Sequence, residues 1–94
     1  MTFQPRLKVP KELASLLSHL PPGIKRKIRG GLDALLSQPK LGKPLKAELS
    51  GLWSLPIGRF RIIYRPVGSL LEIVAIGPRA TIYQETTRRV RETH

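Results

Sequence analysis

The chain has 94 residues, and its 17 Lys and Arg against 6 Asp and Glu give a formal net charge of +11. A surplus of that size on so short a chain points to a partner rich in phosphate or carboxylate. Cysteine is absent, which excludes disulfides, thiolate nucleophiles and Cys-based zinc sites together and fits a reducing cytoplasm.

The length allows a single domain, residues 1–94, with a modest core to which a folded partner can add stability. Met1 to Val9 already carry Arg6 and Lys8 and contain no apolar run long enough for a signal peptide or a membrane span. A cytoplasmic protein with no membrane contact is expected.

Thr2 to Lys8 reads as a short extended segment, and Pro10 suits the start of a helix. From Lys11 to His19, with Leu20 just beyond, Leu13, Leu16, Leu17 and Leu20 recur at helical spacing. Pro21-Pro22-Gly23 breaks the chain. A second stripe, Ile24, Ile28, Leu32, Leu35 and Leu36, runs to Ser37-Gln38-Pro39, so the first half reads as a helical hairpin. Gly30-Gly31 inside the second helix marks either a close approach or a weak point, because glycine costs about 1 kcal/mol relative to alanine there. Lys25, Arg26, Lys27 and Arg29 crowd its first turns, where the helix dipole disfavours cations. They form a solvated face or a phosphate-contacting patch.

From Leu45 the period changes to that of strands. Leu52 to Ile57, Phe60 to Arg65 and Leu70 to Ile76 are separated by Gly58 and by Pro66-Val67-Gly68-Ser69, and such short connections imply antiparallel neighbours. Alternation places Phe60, Ile62 and Tyr64 on one face of the central strand and Arg61, Ile63 and Arg65 on the other. The helices need an apolar surface, so they are expected to cover the Phe60 face and leave Arg61 and its neighbours turned outward. The predicted fold class is α+β, a small antiparallel sheet of about four strands with the N-terminal helical hairpin on one face. Thr81 to Arg91 is basic and partly amphipathic, and reads as helical or as disordered when alone. Glu12, Asp33, Glu48, Glu72, Glu85 and Glu92 are too scattered for a carboxylate dyad or a metal site, and no Gly-rich phosphate loop is present. No metal and no cofactor are expected. His19 reads as a helix-end residue and His94 as a frayed terminus.

The order of a short strand, a helical hairpin, Pro44-Leu45-Lys46, Gly51-Leu52-Trp53, Gly58-Arg59-Phe60-Arg61-Ile62-Ile63-Tyr64, a long apolar strand, Gly77-Pro78-Arg79 and Tyr83 resembles the RelE/ParE toxin superfamily over essentially the whole chain. The resemblance implies a toxin of a type II toxin-antitoxin system, neutralised by a small antitoxin encoded beside it; the basic surface makes an acidic antitoxin the expected partner, and the free toxin is expected to be a monomer. Its RelE branch consists of endoribonucleases that cut messenger RNA in the ribosomal A site, and its ParE branch poisons DNA gyrase. The RelE reading makes this chain a metal-independent, ribosome-dependent mRNA endonuclease, with mRNA and the ribosome as partners. The ParE reading makes it a gyrase-binding toxin that cuts no RNA.

Metal-free RNA cleavage needs a base for the 2′-hydroxyl, cations for the crowded phosphorane and help for the departing 5′-oxygen. By resemblance Arg61 corresponds to the strand arginine that binds the scissile phosphate, Arg79 to the arginine after the last strand that stabilises the transition state or assists the leaving group, and Tyr83 to the C-terminal tyrosine that stacks on a base or orients the nucleophile. Arg59, Arg65, Lys43, Lys46, Lys25, Arg26, Arg29, Arg88 and Arg89 are the expected RNA contacts. Where RelE enzymes carry lysines on the strand before the arginine strand, this chain has Ser54 and Pro56, a departure that favours the ParE reading.

Overall fold

A computed structural model describes residues 6–92. The extended segment expected from Thr2 to Lys8 lies partly outside this range, and His94 lies wholly outside it. The chain runs β1 (Arg6–Lys8), α1 (Lys11–Ser18), α2 (Pro22–Ser37), β2 (Lys43–Pro44), a single 3-10 turn (Ala47–Leu49), β3 (Trp53–Ile57), β4 (Phe60–Val67), β5 (Leu70–Pro78) and α3 (Ile82–Glu92). The strands form one five-stranded sheet in the order β1-β5-β4-β3-β2. β1 lies parallel to β5, and the other neighbours are antiparallel. The α+β class stands, with two short edge strands added to the three long runs visible in the sequence.

Both proline breaks act as helix starts. The Pro10 carbonyl accepts the Ala14 N–H at 3.0 Å, and the Pro21 carbonyl accepts that of Lys25 at 3.0 Å. The hairpin buries Leu13, Ile28 and Leu35 against Leu55, Ile62, Tyr64, Leu71, Ile73 and Ile76 of the sheet. Gly31 is buried in this contact. A methyl there would collide with the Ile57 side chain and lie 3.3 Å from Ile62 Cδ1, whereas one on Gly30 would meet nothing within 4 Å. The two adjacent glycines thus differ in kind, one a packing requirement and the other an open position.

The second face corrects the expectation that Arg61 and its neighbours look straight into solvent. α3 lies across it, and Leu52, Ile63, Ala75 and Ile82 form a second buried cluster, with Tyr83, Val74 and Val90 packed at its edge. Ile63 is wholly buried. A register shift between Ile63 and Tyr64 pairs Ile63 with Ala75 and Tyr64 with Ile73, which leaves Val74 as an extra residue of β5. Val74 and Ala75 therefore both contribute to the α3 side. Tyr64 is buried on the hairpin side, where its hydroxyl accepts the Gly42 N–H at 3.0 Å. Burial pushes this phenol above its ordinary pKa, and the Gly42 hydrogen bond pulls the other way.

Candidate nucleic-acid interface

Residues paired across an antiparallel ladder share a face. One row of the α3 side runs Lys43, Ser54, Ile63, Ala75, and the next runs Pro56, Arg61, Gly77. The first row ends in an exposed lysine, and the second is centred on a half-buried arginine. The turn after β3 and the chain leaving β5 meet at this end of the sheet, where the Arg79 N–H donates to the Arg59 carbonyl at 2.8 Å. Gly58 (φ 58°) turns the chain in the left-handed region that glycine tolerates best. Gly58, Arg59, Pro78, Arg79 and Ala80 line a shallow groove of about 490 Å³. Arg61 folds back over the same turn, its Nη1 donating to the Phe60 carbonyl at 3.0 Å and the Gly58 carbonyl at 3.3 Å.

Tyr83 enters the same face from the first turn of α3. Its ring packs against the Leu52–Ile63–Ala75–Ile82 cluster, and its hydroxyl lies 3.0 Å from Ser54 Oγ. Ser54 is buried. The residue noted in the sequence only for replacing a lysine is therefore the anchor of the tyrosine hydroxyl, and nothing in the sequence alone signalled that contact. Lys43, Ser54's cross-strand neighbour, brings an ammonium group to the row from which β3 itself lacks one. Thr87 Oγ1 donates back to the Tyr83 carbonyl at 2.9 Å and buried Thr86 Oγ1 to that of Ile82 at 2.7 Å, so both hydroxyls are satisfied within the helix.

The other expected RNA contacts are distributed more widely. Arg65 shares the face of Arg61 but stands four residues along β4, roughly 13 Å away at strand spacing, where Glu72 lies within 3.7 Å of it and 3.8 Å of Lys8. Lys25, Arg26 and Arg29 belong to α2, on the opposite side of the sheet, and Lys25 Nζ donates to the last carbonyl of α1, that of Ser18, at 3.1 Å. Lys46 precedes the 3-10 turn and is exposed. Arg88 is exposed on α3, and Arg89 Nη1 reaches the Val74 carbonyl at 3.4 Å. The structure thus gathers Arg59, Arg61, Arg79, Tyr83 and Lys43 around one half of one face and leaves the rest as a broad cationic surround. Among the described residues no three His, Asp or Glu side chains cluster as metal ligands would, and no helix is long and apolar enough to cross a membrane.

The fold recurs in known toxins. The chain superposes on a chain of the RelBE2 toxin-antitoxin complex of Mycobacterium tuberculosis with a TM-score of 0.71 and 26% identity, over 81% of this chain and 99% of that one. The archaeal RelE-RelB complex of Pyrococcus horikoshii gives a TM-score of 0.66 at 25% identity, over 81% and 96% of the two chains. A double arginine-to-alanine mutant of Escherichia coli RelE in the free state gives 0.73 at 14% identity, over 92% and 97%, a likeness of fold alone. No curated protein matches the sequence. The family described as the ParE toxin of the type II toxin-antitoxin system parDE matches residues 6–83, and the chain belongs to that family, within the RelE/ParE toxin superfamily.

Proposed function

We propose that this toxin is a metal-independent endoribonuclease that cuts messenger RNA on the ribosome and so inhibits translation. The observation that carries the reading is the meeting of Arg59, Arg61 and Arg79 at one end of the sheet, beside a tyrosine whose hydroxyl is held by Ser54. Three guanidinium groups suit a phosphate that gains charge in the transition state, since each offers planar, paired donors to its oxygens. Arg61 exchanges the Gly58 and Phe60 carbonyls for phosphate oxygens when RNA arrives. Arg79 neutralises the phosphorane, Arg59 and Lys43 steer the backbone in, and Tyr83 presents its half-buried ring to a base or its hydroxyl to the nucleophile. The more distant cations, Arg65, Lys46, Arg88 and Arg89 on this side and Lys25, Arg26 and Arg29 behind, contact ribosomal RNA.

A gyrase-binding toxin is the second reading, favoured by the family match and by Ser54 and Pro56, neither of which supplies a cation. One paired assay separates the two. Purified toxin added to a translating extract is expected to leave new mRNA 5′ ends within A-site codons and to leave supercoiling by gyrase unchanged. Intact messenger together with lost supercoiling reverses the assignment.

Two of the similar structures are toxin-antitoxin complexes, and the charge of +11 suits an acidic, partly disordered antitoxin segment that folds as it binds. Such a segment covers the arginine groove or displaces α3. Calorimetric titration with the product of the adjacent reading frame checks this, and absence of binding refutes it. The free toxin is a cytoplasmic monomer in this reading.

A further inference from the structure

The groups gathered so far include no proton acceptor suited to a 2′-hydroxyl. Arginine and the Lys43 ammonium are donors without a free lone pair, and the Tyr83 hydroxyl, which shares a hydrogen bond with Ser54 Oγ at 3.0 Å, orients the nucleophile and does not take its proton. Most of the described carboxylates are placed elsewhere. Glu72 lies beside Lys8 and Arg65, Glu48 pairs with Arg91, and Glu12 and Asp33 belong to the hairpin helices. Glu85 differs. It lies in the first turn of α3, and its Oε2 lies 3.9 Å from the point a methyl on Gly77 would occupy. Gly77 is the cross-strand partner of Arg61, so a Cβ at that point would sit about 5 Å from that of Arg61. A guanidinium spans a similar distance from its own Cβ, which puts one phosphodiester within reach of both side chains.

Gly77 is what allows this. A methyl there would lie 2.9 Å from Ile82 Cδ1, too close for the first turn of α3 to keep its seat. The glycine brings the helix down and Glu85 with it, over the row that holds Arg61.

We propose that Glu85 is the general base of the site. The assignment rests on the nuclease reading and supplies its missing proton acceptor. The Glu85 carboxylate takes the proton of the 2′-hydroxyl, and the 2′-oxygen forms its bond to phosphorus. The bond from phosphorus to the 5′-oxygen breaks, and that oxygen takes a proton from water. The products are a 2′,3′-cyclic phosphate and a 5′-hydroxyl, and Glu85 returns its proton to solvent. Arg61 and Arg79 hold the charge on the non-bridging oxygens throughout.

Single-turnover cleavage of messenger on programmed ribosomes, followed across pH, tests the role. Glu85→Gln keeps the shape and removes the acceptor. It is expected to cut roughly 100-fold more slowly or worse, to bind ribosomes as the wild type does, and to lose the fall in rate that the wild type shows on acidification. Glu85→Asp, which keeps the carboxylate but draws it back, is expected to fall between the two and serves as the second variant if the first folds poorly. A Glu85→Gln rate within threefold of wild type, or a slower rate with the acid limb intact, overturns the assignment and leaves the nuclease reading standing. A wild type that makes no cut under the same conditions overturns both.

Discussion

The two faces of the sheet are built differently. On the hairpin side, large side chains from α1, α2, β3, β4 and β5 interlock around Leu35, Ile62 and Tyr64, each of them fully buried. On the α3 side the buried apolar cluster is Leu52, Ile63, Ala75 and Ile82, and Ser54 and Thr86 are buried beside it. Apolar burial stabilises by about 25 cal/mol per Å², so the first face supplies most of the folding free energy. The second carries the arginines, the Ser54–Tyr83 pair and Glu85. Beyond its first turn, α3 continues as an arginine-rich helix whose Arg91 meets Glu48 at an exposed ion pair, a contact of small value. α3, held against this smaller cluster by Ile82, Tyr83, Thr86 and Val90, is expected to leave the sheet at a lower cost than the hairpin does.

Core truncations on each side give the largest test of this contrast. Leu35→Ala is expected to lower global stability by about 2–5 kcal/mol, as cavity-forming substitutions in tight cores do. Ile82→Ala removes a similarly buried side chain, but its global cost is limited by the free energy that docks α3, so about 2 kcal/mol or less is expected. Denaturant midpoints measure both. Equal losses would mean that α3 unfolds only with the whole domain.

The adjacent glycines of α2 sharpen the comparison at smaller scale. Gly31→Ala is expected to cost about 1–3 kcal/mol by overpacking against Ile57 and Ile62, whereas Gly30→Ala, which meets nothing, is expected to stabilise by about 0.5–1 kcal/mol. Thermal melts of the two variants should move in opposite directions. From the sequence these glycines could be flagged but not told apart, because the distinction lies in the distance to β3 and β4. The same limit applies elsewhere. Periodicity revealed the hairpin, the three long strands and the split of Phe60, Ile62 and Tyr64 from Arg61 and Arg65. It did not reveal β2, too short for a pattern, and although Thr2 to Lys8 read as extended, nothing in the sequence showed that Arg6–Lys8 pairs parallel to β5. The extra Val74, which breaks simple alternation, and the docking of α3 were also hidden, and so the burial of Ile63 beside an outward-reading arginine was missed. Of the proposed site, Arg61, Arg79 and Tyr83 were named through the resemblance to the toxin superfamily, while the Ser54 contact and the place of Glu85 depend on how α3 seats over Gly77.

The Ser54–Tyr83 pair measures how firmly the functional face is closed. Ser54→Ala and Tyr83→Phe are each expected to cost about 0.5–1.5 kcal/mol, and in a double-mutant cycle the second change should add little once the first is made. Additive losses would show that the 3.0 Å contact contributes nothing of its own.

The smallest effect is confined to alkaline solution and belongs to the hairpin face. Tyr64's phenol has its pKa raised by burial above the ordinary value of 10.0, so the folded state favours the neutral form. A group raised in this way contributes its full stability below the unfolded pKa and loses it as pH climbs through the folded one. Wild-type stability should therefore decline from about pH 10 upward, as ionisation opposes burial in the Leu35–Ile62 core. Tyr64→Phe should be less stable than wild type at pH 8, since the Gly42 N–H loses its acceptor, yet decline less steeply above about pH 10. Denaturant midpoints at the two pH values measure the difference in slope. Parallel curves would place the alkaline loss outside the hairpin core, among the cations or on the α3 side of the sheet.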